Sequence, residues 1–541
     1  MTLIDLTCQV ESPVSEALIH AMQQPATYPH PVDQVVMRET HISWVFLAGD
    51  FAYKIKKPVN FGFLDYSTLE ARHHFCQLEM QLNQRLAADI YLDVLPISGD
   101  ASTPVLGDAS APFEYALKMR RFDDEQLLNA LHQRGELREE HLIQLADQIA
   151  EFHLQQQPAT PPEDLGTPAA VWAPVAQNFE QIRALLQDDS ALKQLELLEA
   201  WSKDTFARFE DLIIERRANG KVCACHGDLH LGNTTLWQGQ VLAFDCIEFN
   251  DAFRWCDVIS DLAFLLMDLE DRGLQGMAQI TLNHYLEQTG DYQGLQLLCF
   301  YKVYRALVRA KVGLFRLAQP GLDDEDKAAI LRQYRSYTDL AESYTDFHPP
   351  YLMITHGFSG SGKSTLTTNV VRELGGIRIR SDVERKRLFG LKPQQKSHAE
   401  LADGIYTAEA TAQTYQRLTE LADLGLRACY PVTLDATNLK KAQRHQLLAV
   451  AENLGLPSLI ISLKADEATL RRRLKKRMDE GEKVAEADLK VLELQLQTHE
   501  PLEGEELTCS VTVDTDAPAA SQTLVKLIRD HLRLGEAAQQ H

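Results

Sequence analysis

The octapeptide Gly357-Phe358-Ser359-Gly360-Ser361-Gly362-Lys363-Ser364 lies between an apolar run, Tyr351 to Thr355, and a stretch of helical character that closes at Gly375-Gly376. Glycines at this spacing let successive backbone N–H groups turn into one concavity at the start of a helix, an arrangement that attracts a polyanion. The lysine and hydroxyl that follow complete a polyphosphate cradle: Lys363 reaches the β- and γ-phosphates, and Ser364 holds Mg²⁺. Thr365, which opens the helical stretch, joins this set. The ligand implied is a nucleoside triphosphate, ATP or GTP, with ATP and Mg²⁺ as the expectation.

A second constellation lies earlier. His226-Gly227-Asp228-Leu229-His230-Leu231-Gly232-Asn233 is followed by Val241-Leu242-Ala243-Phe244-Asp245, a strand ending in an acid. An acid, an amide five residues on and a separate strand-end acid suit phosphoryl transfer, because one group must orient the nucleophile while others neutralise phosphate charge. Asp228 would accept the proton of an acceptor hydroxyl; Asn233 and Asp245 would hold Mg²⁺. This is the layout of the protein-kinase-like fold. With its H-G-D-x-x-x-x-N loop the segment closely resembles the aminoglycoside phosphotransferase family, over roughly residues 35–320. The resemblance implies a lysine on the phosphates, Lys54 or Lys56, and Glu79 as its helical partner. Strand alternation puts both lysines on one face; Lys54 is preferred. The turn Ala48-Gly49-Asp50 is a departure from the Gly-rich loop of protein kinases. His226 is read as propping the loop, His230 as a surface or core residue, and Asp257 and Asp261, at i,i+4 spacing, as structural braces.

The elements that must position these groups follow from periodicity. Thr40 to Leu47 and Phe51 to Lys56 read as two strands about a turn, Ser67 to Leu86 as a helix carrying Glu79, Phe113 to Met119 as a strand, and Leu127 onward as helical. The Gln- and Pro-rich residues 155–172 form a loop, and helices dominate to about Arg217. The fold class expected is α/β and α+β: an N-terminal bilobal protein-kinase-like fold and a C-terminal P-loop domain with a three-layer α/β parallel sheet. The boundaries expected are 1–345, with a small lobe about 35–122 and a helical large lobe about 123–345, and 350–541, the break falling near Phe347-His348-Pro349-Pro350.

In the C-terminal part, Ile377 to Arg380 reads as a strand with Asp382 just beyond its carboxyl end, where ligands of open α/β sheets sit. Asp382 is the candidate base on an acceptor hydroxyl, and Arg385 would grip an anionic acceptor. Helices are expected from Ser397 to Leu424. Pro431 to Asn438 is a strand entering a polar loop: Asp435 would reach the metal through water, Thr437 and Asn438 would meet the acceptor, and Arg444 sits on the next helix. Leu459 to Leu463 is a buried strand. Ala468 to Met478 is a basic helix on which Arg473 and Arg477 share a face, placed to close over the transferring phosphoryl group. These features resemble the polynucleotide 5′-hydroxyl kinases and the wider set of small P-loop kinases that includes zeta-toxin-like and chloramphenicol phosphotransferases, over about residues 350–510. The whole chain resembles bacterial proteins described as bifunctional aminoglycoside phosphotransferase/ATP-binding proteins.

The net charge of −23 is uneven: residues 351–541 carry 26 Lys and Arg against 26 Asp and Glu, so the entire excess lies before them. That acidity argues against general binding of double-stranded nucleic acid. The nine cysteines are scattered, as in a reduced cytoplasmic protein. Met1 to His20 lacks a signal-peptide pattern, no run approaches a membrane span, and Gly535 to His541 reads as a frayed tail. The expectation is a cytoplasmic ATP-dependent phosphotransferase with two Mg²⁺–ATP sites. Its acceptors would be hydroxyls of small molecules or oligonucleotides. Two other readings use the same residues: an N-terminal half that binds without catalysis and gates the P-loop kinase, or an ATP-hydrolysing switch.

Overall fold

The computed structural model describes residues 13–61, 64–186, 188–317, 321–395, 404–480 and 489–532. The tail from Gly535 and the first seven residues, 397–403, of the helical stretch expected from Ser397 lie outside them, as do residues 1–12 of the N-terminal stretch. The chain falls into two compact units, Met1–Gln187 with Lys203–Asp268, and Asp188–Ser202 with Leu269–His541. This division differs from the expected break near 347–350. Residues 269–345 form contacts with the C-terminal part, a consequence of long-range packing that Pro349-Pro350 and the charge shift do not encode.

The first unit opens with helix α1 (Pro13–Met22) and strands β1 (Val35–Glu39), β2 (Ser43–Ala48) and β3 (Phe51–Lys56). Helix α2 (Leu69–Ala87) follows, then β4 (Tyr91–Asp100), β5 (Thr103–Leu106) and β6 (Glu114–Arg120). The six strands form an antiparallel sheet in the order β1-β2-β3-β6-β4-β5. Phe46, Tyr53, Ile55, Ile97 and Ala116 pack with Leu18 and Met22 of α1. Helix α2 starts where the Thr68 hydroxyl accepts from the Ala71 N–H, a cap that satisfies one of the orphan donors of the first turn.

Next come α3 (Leu128–Gln133), α4 (Glu139–Gln155), α5 (Pro168–Leu185) and α6 (Asp189–Ala218). Short strands β7 (Val222–Ala224), β8 (Thr234–Trp237), β9 (Gln240–Ala243) and β10 (Trp255–Asp257) are interleaved with α7 (Asp251–Arg254) and followed by α8 (Val258–Asp271). β7 pairs with β10 and β8 with β9. One buried ion pair fastens this region: Arg216 Nε and Nη2 donate to the Asp257 carboxylate at 2.7 and 2.8 Å, and Asp257 also accepts the Ile259 N–H at the start of α8.

The second unit contains α9 (Gln275–Thr289), α10 (Leu295–Leu317) and α11 (Asp324–Ser343), then a parallel sheet with its helices. Its elements are β11 (Leu352–His356), α12 (Lys363–Leu374), β12 (Ile377–Arg380), α13 (Ser381–Leu388), α14 (Ala408–Arg427), β13 (Val432–Asp435) and α15 (Lys441–Asn453). They continue with β14 (Ser458–Lys464), α16 (Glu467–Glu480), α17 (Leu489–Thr498), α18 (Glu505–Thr508), β15 (Ser510–Asp514) and α19 (Ala520–Leu532). The strand order is β12-β13-β11-β14-β15, all pairs parallel; the inner strands β13, β11 and β14 are buried on both faces, whereas the edge strands β12 and β15 alternate. β12 is an edge strand, and α9 covers it: the Asn283 amide accepts the Arg378 N–H at 2.6 Å and donates to the Gly376 carbonyl at 2.9 Å. Gly276 lets α9 approach α12, since a Cβ there would stand 2.9 Å from Arg372 Cγ.

Removing one partner of the Arg216–Asp257 pair strands a buried charge, a loss of about 3–5 kcal/mol. Arg216→Ala is therefore expected to lower the denaturant midpoint of the first unit, read from urea titration of the full chain. An unchanged midpoint would show that the pair contributes nothing.

Candidate functional site

In the first unit Lys54 is held by two carboxylates. Lys54 Nζ on β3 donates to Glu79 Oε1 of α2 at 2.7 Å and to Asp245 Oδ1 at 2.8 Å. Lys56, two residues on along the same strand, donates to Glu79 Oε2 at 2.6 Å and to Glu248. The two lysines thus share one fully buried carboxylate. Burial alone would raise the Glu79 pKa; the two ammonium groups outweigh it and bring it down to about 2. Lys54 is the lysine that reaches Asp245, while Lys56 and the Tyr66 hydroxyl tie down Glu248 three residues further on.

Asp245 stands two residues past β9, with φ 63°, a left-handed conformation that Asp adopts more readily than most residues. Its N–H donates to the Tyr91 hydroxyl at 3.1 Å, and the next N–H, of Cys246, donates to the Asn83 amide at 2.8 Å. Tyr91 and Asn83 set the direction of the Asp245 carboxylate, and sequence reasoning missed both. Asn83 lies four residues after Glu79 on the same helix face, a spacing that carries a signal; Tyr91 carries none.

The Asp228 loop hangs from one buried acid. Asp261 Oδ2 accepts the His226 N–H at 3.0 Å and Oδ1 accepts the Gly227 N–H at 2.8 Å, while His153 lies 3.2 Å from Oδ2. Gly227 has φ 87°, and a Cβ there would meet Ile247 Cδ1 and the Phe253 carbonyl at 3.2 Å. Asp268 fastens the far end of the loop by accepting the Leu231 N–H. Asp228 Oδ2 accepts from Asn233 Nδ2 at 2.9 Å, which leaves the Asn233 oxygen as the part of the amide suited to a cation. His226 bonds the Phe244 carbonyl. His230 is closer to the chemistry than a generic core residue: Nδ1 accepts the Gly232 N–H and Nε2 stands 3.4 Å from Asp228 Oδ2. Asp228 and Asp245 side chains are 37% and 44% exposed, so substrate and cation can reach them.

In the second unit the Gly357–Ser364 loop runs from β11 into α12. Lys363 Nζ donates to the Gly357 and Phe358 carbonyls at 3.1 and 2.8 Å, folded back over its own loop. Burial lowers its pKa to about 8, with the Arg477 charge pushing the same way and Asp435 and Asp382 opposing. Ser364 is half-buried and Thr365 exposed. Ser359 is held by Gln495 of α17, which accepts its N–H at 2.9 Å and donates to its hydroxyl at 3.0 Å. Neither the spacing nor the type of Gln495 marks it in the sequence. Asp435, at the end of β13 and 5% exposed, accepts from the Thr367 hydroxyl at 3.1 Å.

Asp382 opens α13. Arg380 grips it with two bonds, Nη2 to Oδ2 at 2.8 Å and Nε to Oδ1 at 3.2 Å. Arg385 donates to the Ile405 carbonyl and the Thr411 hydroxyl and lies over the Tyr406 ring. Arg477 is half-buried. Arg473 is anchored to Thr515, Asp516 and the Gly360 carbonyl, on the loop side of α16.

Two residues expected to meet the acceptor are placed elsewhere. Arg444 is fully buried, with its guanidinium spent on Glu506 and on the carbonyls of Asn438, Glu500 and Pro501. It braces two loops, a use that its place on a polar helix did not announce. Asn438 is also fully buried and donates to the Thr355 carbonyl. Thr437 remains half-buried, its carbonyl accepting the Gly357 N–H.

The donors present suit a hard divalent cation, which takes oxygen ligands: the Asn233 oxygen and Asp245 carboxylate in one unit, the Ser364 hydroxyl and Asp435 carboxylate in the other. No described helix is long and apolar enough to cross a membrane.

Comparison with known proteins agrees with this division of chemistry. A family model described as "Phosphotransferase enzyme family" matches residues 70–298, and one described as "AAA domain" matches residues 352–502. The uncharacterized protein Rv2004c of Mycobacterium tuberculosis (strain ATCC 25618 / H37Rv) is 32% identical over 411 residues, spanning 75% of this chain and 80% of that protein. The Mycobacterium bovis protein Mb2027c matches to the same extent. Among solved structures, the amicoumacin kinase hAmiN, in complex with AMP-PNP, Ca²⁺ and Ami, is 14% identical, covers 61% of this chain and 94% of its own, and has a TM-score of 0.37. A gluconokinase from Sinorhizobium meliloti 1021 is 24% identical, covers 36% of this chain and 100% of its own, with a TM-score of 0.26.

The Lys363 shift has a measurable sign. A polyphosphate beside the ammonium raises its pKa again, so above pH 8 nucleotide binding draws a proton onto Lys363 and affinity falls as pH rises. Calorimetry at about pH 8.5 in two buffers of different ionisation heat is expected to show uptake of up to about one proton, absent in Lys363→Ala. Equal heats in both buffers for the wild type would refute the depressed lysine.

Proposed function

Because this chain belongs to the same family as Rv2004c of Mycobacterium tuberculosis, with a phosphotransferase-family part followed by a P-loop kinase part, we propose that each part has its own ATP and Mg²⁺ site and phosphorylates a hydroxyl. The observation that carries this reading is the Lys54 bridge between Glu79 and Asp245 beside an accessible Asp228, because it sets a lysine, a cation-binding acid and a base in one site. A module that only bound a ligand would have no need of a base next to a cation site.

In the first unit, Lys54 exchanges its bond to Asp245 for the nucleotide phosphates, and Glu79 keeps it charged and aimed. Asn233 and Asp245 would hold Mg²⁺, which would supply positive charge against the phosphates. Asp228 orients the acceptor hydroxyl. The acceptor oxygen bonds to the γ-phosphorus, the bond from that phosphorus to the β,γ-bridging oxygen breaks, ADP leaves, and the acceptor proton passes to Asp228. His230, 3.4 Å from Asp228, keeps that carboxylate turned toward the acceptor side.

In the second unit, the loop N–H groups and Lys363 take the phosphates, Ser364 and Asp435 would hold Mg²⁺, and Asp382 is the base. Arg477 neutralises charge on the transferring group, and Arg473 fixes α16 against the loop. The acceptor is a small molecule or a 5′-hydroxyl oligonucleotide, gripped in part by Arg385.

The test is transfer of label from γ-labelled ATP with Mg²⁺ to two acceptor pools, 5′-hydroxyl oligonucleotides and a small-molecule extract supplemented with aminoglycosides and sugars. Wild type is compared with Asp228→Asn and Lys363→Ala. Each variant is expected to lose one set of products by about 10²-fold or more and to keep the other. Full retention of every product in Asp228→Asn would end the claim of two catalytic sites.

A further inference from the structure

The second unit contains a buried carboxylate that neither the nucleotide nor the acceptor chemistry described above uses. Glu287 lies in the last turns of α9, with its side chain 7% exposed. Its Oε1 accepts from Arg378 Nη2 at 2.6 Å and Nε at 3.2 Å, and its Oε2 stands 3.5 Å from Arg380 Nη1. Arg380 in turn holds both oxygens of Asp382. Arg378 donates its remaining arm to the Ser364 carbonyl and the Thr368 hydroxyl at the start of α12. One carboxylate on α9 therefore fixes two arginines that lead, by single hydrogen-bonded steps, to the candidate base and to the residue beside Lys363. The backbone of α9 is locked as well: Arg387 of α13 donates to the Glu287 carbonyl, and Asn283 holds the Arg378 N–H.

We infer that Glu287 is a positioning residue for phosphoryl transfer in the P-loop half, acting through Arg380 to aim Asp382. The inference rests on the reading of Asp382 as the acceptor base. The geometry assigns Glu287 this role rather than a purely cohesive one, because its two oxygens are divided between arginines with different destinations. A carboxylate serving only to dock α9 would be satisfied by Arg378 alone, next to the Asn283 bonds that already do that work.

Lys363 of α12, Arg380 of β12 and Arg385 of α13 interact electrostatically with Asp382, and Glu287 with Arg380. Deleting the Glu287 carboxylate removes one of the two acids that hold Arg380, so the guanidinium that grips both oxygens of Asp382 loses its fixed direction and the base is less well aimed at the acceptor.

The experiment uses the full chain and the two acceptor pools above, counting only product that depends on Lys363. Glu287→Gln is expected to lower kcat about threefold or more. MgADP affinity should stay within about twofold, because phosphate recognition lies elsewhere. Glu287→Asp keeps the carboxylate and should recover part of the lost rate. Asn283→Ala removes the docking bonds and should change kcat by less than about twofold. An unchanged kcat in Glu287→Gln, a parallel fall in kcat and MgADP affinity, or an equal fall in kcat in Asn283→Ala overturns the positioning role and leaves a structural one. If wild type yields no Lys363-dependent product in either pool, the two-site reading of the P-loop half fails, and this inference with it.

Discussion

A carboxylate shut away from water stays ionised only if cations close upon it, and both units build their candidate sites on that condition. Glu79 has no exposed surface and survives as an anion because Lys54 and Lys56 both reach it. Taking such charges out of water costs several kcal/mol each, and the cost is offset only where the geometry is close and every lone pair is used. The arrangement therefore permits little freedom: Lys54 is held at the height of Asp245, and Lys56 reaches beyond it to Glu248. The second unit follows the same logic with the same signs, two arginines converging on Glu287.

From these anchors the loops take their shape. Asp261 turns two consecutive N–H groups inward and so sets the turn at Gly227 that presents Asp228. In the second unit Thr355 bonds the Ala436 carbonyl and N–H, fixing the end of the strand that carries Asp435. In each case a polar side chain inside the fold takes up backbone groups that would otherwise be unsatisfied, and a candidate site carboxylate, Asp228 or Asp435, is fixed next to the residues so held.

The sequence made local patterns readable and long-range ones opaque. The Gly357–Ser364 loop and its flanking strand and helix were legible because phosphate binding needs contiguous residues. So was Asp228-to-Asn233, for the same reason. The hairpin of β2 and β3 and the helix carrying Glu79 showed their periodicity, whereas β4 did not: Pro96 and Gly99 interrupt it, and cross-strand pairing sustains it. β15 was missed because five residues beside a polar loop give too short a pattern. Tyr91, which orients Asp245, and Gln495, which holds Ser359, come from remote segments with no motif of their own. Arg444 misled for a related reason: on a polar helix an arginine looks available, and only the fold reveals Glu506 waiting for it. The division at Asp268 was equally hidden, since α9 to α11 read as a continuation of the preceding helices.

The Asn283 amide on strand β12 has a consequence for how such a chain can arise and come apart. A free edge strand is a template for another strand, and proteins blunt such edges by charge, by brevity or by covering them. Here the cover is encoded about a hundred residues upstream of the strand, in a segment matched by the model of the other enzyme family. A gene split at the proline pair would yield a P-loop fragment with an open border, inclined to recruit a second copy of itself. The helix that closes this border therefore ties the solubility of the P-loop part to chain that lies well before the proline pair.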